Sequence, residues 1–248
     1  MDKRGSHIGI IISFAIFVVF LVFLYIVIEP IIKINKDKEL ILNYVKEELI
    51  RESSSELISA SFKINDEVNL GGASCFSVNS SVSTTKKVGI ITKNESNSVI
   101  CSNISSPNYD IVYIGESNPS DKVYEVDYSL EFNNISIESS CVNLLQNCIR
   151  LVKDENYSIG FVKKGSYFFE SKIIEVIKEY NSNYESLKTK FSIPKSSEFA
   201  FSFVTQENKE LGTKFEETTT NIYSEKLPIL YIDTEANLKS GFIVVKVW

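Results

Sequence analysis

The chain has 248 residues, 44% hydrophobic and 23% charged, a balance that suits a folded protein and is too apolar for a disordered one. Lys and Arg number 26 against 32 Asp and Glu, a formal net charge of −6. An acidic chain with no basic cluster interleaved with aromatics repels phosphate backbones, so nucleic acid is not an expected partner.

Residues 1–7 form a short leader containing Lys3 and Arg4, and residues 8–29 read as a transmembrane helix. Ile8 to Ile28 is a run of 21 residues without a charge, broken only by Gly9 and Ser13, with Tyr25 near its end. At about 1.5 Å per residue it spans roughly 30 Å, the thickness of a bilayer's hydrocarbon core. A secretory signal has a shorter apolar region followed by small residues at its cleavage site. Here Glu29-Pro30 follows instead, so the helix is expected to be retained in the lipid bilayer. Lys33, Lys36 and Lys38 follow the run as closely as Lys3 and Arg4 precede it, and basic residues alone do not orient it. The seven-residue tail, and four cysteines that all follow the run, favour an exported C-terminal domain, which is therefore expected on the extracytoplasmic side of the cell membrane.

Lys3-Arg4-Gly5-Ser6, followed at once by the apolar run, resembles the class III signal of archaeal type IV pilins and archaellins. The resemblance covers about the first thirty residues. It implies cleavage by a prepilin peptidase between Gly5 and Ser6, with Lys3 and Arg4 as the basic recognition pair. The fifth residue after such a cut is Ile10, where bacterial pilins carry a Glu; archaeal members often lack it.

Beyond the run, residues 30–58 read as an amphipathic or stalk helix. From Asp37 to about Leu57 one broad face carries Leu40, Ile41, Tyr44, Val45, Leu49 and Ile50, largely opposite Lys46, Glu47, Glu48, Arg51 and Glu52. Pro30 is expected to kink or interrupt the rod. Residues 59–248 form a β-rich domain. Short strands are predicted at Ser74–Val78, Lys87–Thr92, Ser98–Ser102, Ile111–Ile114, Val123–Phe132 and Ile149–Lys153, punctuated by Gly, Asn, Ser and Pro. Alternation in Val123–Phe132 sets Tyr124, Val126, Tyr128, Leu130 and Phe132 on a buried face, with Glu125, Asp127 and Ser129 opposite. A further long helix is predicted from about Phe169 to Lys190, closed by Ile193-Pro194. Strands at Phe199–Thr205, Leu227–Asp233 and Gly241–Trp248 follow, the last apolar on both faces and so central. The expected fold class is α+β: a transmembrane helix continued by an amphipathic one, then a mostly antiparallel β-rich domain with one more long helix.

Cys75, Cys101, Cys141 and Cys148 allow three pairings. Cys75–Cys101 and Cys141–Cys148 are preferred, because neighbours in sequence close the shorter loops. Zinc is the rival, but the spacing lacks the close pairs that structural zinc uses. Asn79, Asn94, Asn103, Asn134 and Asn156 each begin an N-x-S/T sequon, a number near what chance yields in a chain rich in Asn and Ser. His7 is the one histidine, which removes His-based triads and histidine metal sites. Acidic pairs at Asp66-Glu67 and Glu216-Glu217 read as solvated surface rather than glycosidase carboxylates. No glycine-rich phosphate fingerprint occurs. Neither a catalytic activity nor a cofactor is expected.

The reading that follows is a membrane-anchored, pilin-like structural subunit, with other copies or other pilin-like subunits as partners in a filament or its assembly system. The alternative is a non-polymerising, single-pass binding or adhesion protein of the cell surface.

Overall fold

A computed structural model describes residues 5–70, 72–80, 82, 88–105, 110–116, 121–133, 139–213 and 221–248. It begins with one helix, α1 (Gly5–Ser53), of 49 residues. The stretch Gly9–Glu29 is long and apolar enough to cross a membrane, and none of it is buried against the rest of the chain. The helix runs through Pro30 without interruption. Proline removes one backbone hydrogen bond and crowds the preceding turn, but helical turns on both sides hold it in register.

The second half of α1 packs on the folded domain through Leu42, Val45 and Leu49, with Ile41 beside them. The predicted face is therefore displaced around the helix: Leu40 and Tyr44 stay exposed, at 67% and 40%. Apolar side chains cover more than half the circumference there, and only the side that meets the sheet is buried. The helix ends at Ser53, short of the predicted Leu57, where three successive serines lead into a strand. Serine competes for backbone hydrogen bonds and favours helix ends over interiors.

That strand, β1 (Ser54–Ile64), is followed by β2 (Cys75–Asn79), β3 (Gly89–Lys93), β4 (Val99–Ile104), β5 (Ile111–Gly115) and β6 (Val123–Ser129). A 3-10 turn at Leu130–Phe132 takes the end of the predicted 123–132 strand. Next come α2 (Ser139–Leu144), β7 (Ile149–Arg150) and the long β8 (Tyr157–Phe169). The predicted 169–190 helix is two helices, α3 (Glu170–Ser182) and α4 (Tyr184–Lys190). Asn183 separates them; its backbone leaves the helical region and its side chain accepts from the Ser186 amide to cap α4. The chain closes with β9 (Phe199–Val204), β10 (Glu210–Gly212), β11 (Tyr223–Ile232) and β12 (Leu238–Val247).

The strands join in the order β10-β9-β12-β11-β8-β1-β6-β3-β4-β5-β2-β7. Pairing is antiparallel except for β8 with β11 and β2 with β7. β12 lies between β9 and β11, an interior position as predicted, but only its odd-numbered face is fully buried. Three apolar clusters divide the fold. In one lobe α1, α3 and α4 cover β9, β11 and β12, burying Val45, Leu49, Ile173, Leu187, Phe199 and Val245. In the other lobe β1, β2, β5 and β6 enclose Phe62, Phe76, Val112, Tyr124, Val126 and Tyr157. A smaller cluster of Leu57, Ile91, Phe132, Phe169 and Ile232 lies between them. β1 and β8 pair along most of their length and take part in more than one of these clusters, so they form the spine of the molecule.

The cysteines form two disulfides, Cys75–Cys148 and Cys101–Cys141, which corrects the pairing preferred from sequence. Sheet topology explains the difference. Cys75 and Cys101 both lie opposite Gly115, on the two sides of β5. Two strand spacings set their Cα atoms about 10 Å apart, beyond the roughly 7 Å that a disulfide spans. The segment containing α2 instead lies across β5, with one cysteine reaching β4 and the other β2. A Cβ on Gly115 would meet Leu145 Cδ2 at 3.0 Å and Leu144 Cβ at 3.3 Å. Glycine at that position lets the stapled segment sit close to the sheet.

Candidate functional site

Two of the four predicted processing residues fall at the tip of α1. Lys3 and Arg4 lie outside the described residues; Gly5 and Ser6 open the helix. Three side chains of the second half of that helix, Lys38, Lys46 and Glu52, make polar contacts with the domain. Lys38 Nζ donates to the Trp248 carbonyl oxygen at 2.8 Å and to Ser197 Oγ at 2.9 Å. Lys46 pairs with Glu225 at 2.9 Å, and Glu52 pairs with Lys190 at 2.9 Å. Burial lowers the pKa of Lys38, and the nearby charge of Glu198 partly opposes this. The domain therefore holds the second half of the rod while the apolar first half projects free of it.

The sequons scatter over the β-rich lobe. Asn79 and Asn103 are exposed on β2 and β4. Asn94 and Asn156 are half-buried, and each accepts a backbone hydrogen bond, from Ser98 at 3.0 Å and from Val152 at 2.9 Å. Asn134 lies outside the described residues, as do Glu216 and Glu217. Asp66 and Glu67 occupy an exposed turn after β1. No group of three or more His, Cys, Asp and Glu side chains stands together for a metal among the described residues.

A cleft between the lobes is lined by several polar and charged side chains. Its floor is the face of β8, β1, β6 and β3 turned away from the second cluster. Strand register sets Lys163, Ser59 and Asp127 in one row across β8, β1 and β6. Glu125 and Lys93 are direct partners in the next row. The turn between β11 and β12 roofs this floor, contributing Ala236, Asn237 and Leu238, and the space measures about 390 Å³. Asp233 Oδ1 accepts from the amides of Glu235 and Asn237 and so shapes the turn. Lys93 fastens it to the floor, donating to the Ala236 carbonyl at 2.7 Å and to Asn237 Oδ1 at 3.1 Å. Tyr167 forms a wall; a Cβ on Gly165 would meet its Cε2 at 2.8 Å, so the ring lies against bare glycine. Lys163 Nζ stands 5.7 Å from the centre of that ring.

Two charges sit inside the cleft. Asp127 is 3% exposed and Lys93 5% exposed. Burial pushes the Asp127 carboxyl up to about 6; the Ser59 hydroxyl, which donates to it, and the charge of Lys93 pull the other way. The alternation of the strand assigned Asp127 to a solvated face. The roof overturns that assignment, because it comes from residues more than a hundred positions later. Nothing local marks Lys93, since a lysine at a strand end ordinarily points to water.

Fold and site together define a class: an α+β protein with one exposed apolar N-terminal helix, a mostly antiparallel sheet and a disulfide-stapled β lobe. Comparison of the chain with protein-family models, with curated proteins and with solved structures returns no match.

Proposed function

We propose that the chain is a membrane-anchored, pilin-like structural subunit whose α+β domain stands on the extracytoplasmic side of the membrane. The observation that carries this reading is the single 49-residue helix, apolar and unburied over Gly9–Glu29 and packed on the sheet below. An exposed apolar surface of that length needs lipid or other helices around it. One continuous rod lets the same element serve first as bilayer anchor and then as the packing surface for further subunits. Both disulfides support export, since cytosolic thiols stay reduced. The Lys3-Arg4-Gly5-Ser6 leader adds a prepilin peptidase as processing partner.

Intact mass and N-terminal sequencing of protein from native membranes test this. A mature chain beginning at Ser6 is expected, with filaments in sheared cell fractions. A chain that still begins at Met1 or Asp2 overturns the subunit reading. A cell-surface binding protein is the second reading, and the inter-lobe cleft is the observation that favours it.

A further inference from the structure

Asp127 and Lys93 face the same space and feel each other's charge, yet no ion pair joins them. Buried charges are ordinarily paired and fully hydrogen-bonded, because removing them from water is costly. Asp127 accepts from Ser59 alone among the described residues, although a carboxylate accommodates about four hydrogen bonds. Lys93 directs two N–H groups at the roof and has a third. A buried acceptor and a buried donor, each with further hydrogen-bonding capacity, therefore line the same half-open cleft. A vicinal diol satisfies both without bringing in charge: one hydroxyl donates to Asp127 while its neighbour accepts from Lys93.

The rest of the lining fits the same ligand. Glu125 extends the hydrogen-bonding surface, while Tyr167 and the half-exposed Phe161 add aromatic side chains to the lining. A sugar ring has this dual character, with hydroxyls around its edge and C–H groups on its faces. The ammonium groups of Lys93 and Lys163 balance the carboxylates of Asp127 and Glu125, so the lining favours neither an anion nor a cation. Its volume of about 390 Å³ lies within the range of small-molecule sites. A free amino acid would also bridge the buried pair, but it would leave the aromatic walls and most of the space unused.

We infer that the inter-lobe cleft is a binding site for a neutral saccharide of one or two rings. This stands apart from the filament reading and does not depend on it. The test uses the full chain in phosphatidylcholine nanodiscs, whose lipid carries no sugar. Saturation-transfer NMR is recorded against maltose, cellobiose, lactose and N,N′-diacetylchitobiose, with glycine and lysine as zwitterionic probes. Saturation of at least one disaccharide is expected, weakened roughly tenfold or more in Asp127→Ala and in Tyr167→Leu. Tyr167 is partly exposed, so its variant keeps the test intact if the buried Asp127 variant does not fold. Silence from all four sugars overturns the inference, as does binding that survives in a folded variant. Saturation of the amino acids alone assigns the cleft to zwitterions and overturns it too.

Discussion

Asp127 lies mid-strand on β6, 3% exposed beneath the turn between β11 and β12, and its ionisation opposes folding. Its pKa rises from 3.8 to about 6 through burial, with Glu125 adding to the rise and the Ser59 hydrogen bond and Lys93 opposing it. The folded chain therefore binds more protons than the unfolded one between these two values. The stability retained below about pH 4 is lost as the pH climbs through about 6, by on the order of 3 kcal/mol. Asp127→Asn keeps an acceptor for Ser59 and removes the charge. We expect its stability to exceed that of the parent at pH 7 and to match it near pH 4. Urea denaturation of both chains across that window checks this; parallel curves would show that the buried carboxyl ionises without cost. Other shifted acids, such as Glu170 and Asp233, are common to both chains and cancel in the difference.

At the scale of elements, the second half of α1 carries two apolar surfaces with different fates. Leu49 is 1% exposed against the sheet, whereas Tyr44, five residues earlier, is 40% exposed. Leu49→Ala removes methyl groups from a packed core and leaves a cavity, so it should cost about 2–5 kcal/mol. Tyr44→Ala should change stability by no more than about 0.5 kcal/mol. Chemical denaturation followed by near-ultraviolet circular dichroism separates the two; equal losses would mean that the sheet covers a different face of the helix. The face visible from spacing included both residues, because amphipathic periodicity reports which side chains are apolar and not which of them meet a partner.

At the scale of the molecule, the disulfides record the strand order. Cys75–Cys148 and Cys101–Cys141 are nested, with sequence separations of 73 and 40. Non-reducing digestion should yield linked peptides with these pairings, and a Cys75–Cys101 peptide would contradict the placement of β5 between β2 and β4. Loops of this length reduce the freedom of the unfolded chain, so each link should contribute roughly 2–4 kcal/mol. Reduction is expected to lower the unfolding midpoint and add four hydrogens to the intact mass. No gain in mass would mean free thiols and would also remove the support for export.

The amino-acid sequence by itself determined the features that depend on neighbours along the chain. The apolar run of α1, the α+β class, the interior last strand and most of the short strands follow from local composition and period. It missed β8, whose Gly160 and Lys163-Lys164-Gly165 break the apolar pattern, and β1, which begins within the span read as helix. Tertiary structure alone decided which strands are neighbours, and with that the cysteine pairing. It also decided that Asp127 faces a roofed cleft instead of water. These outcomes rest on contacts between residues tens to more than a hundred positions apart, where a strand's partner is chosen by what the whole sheet buries.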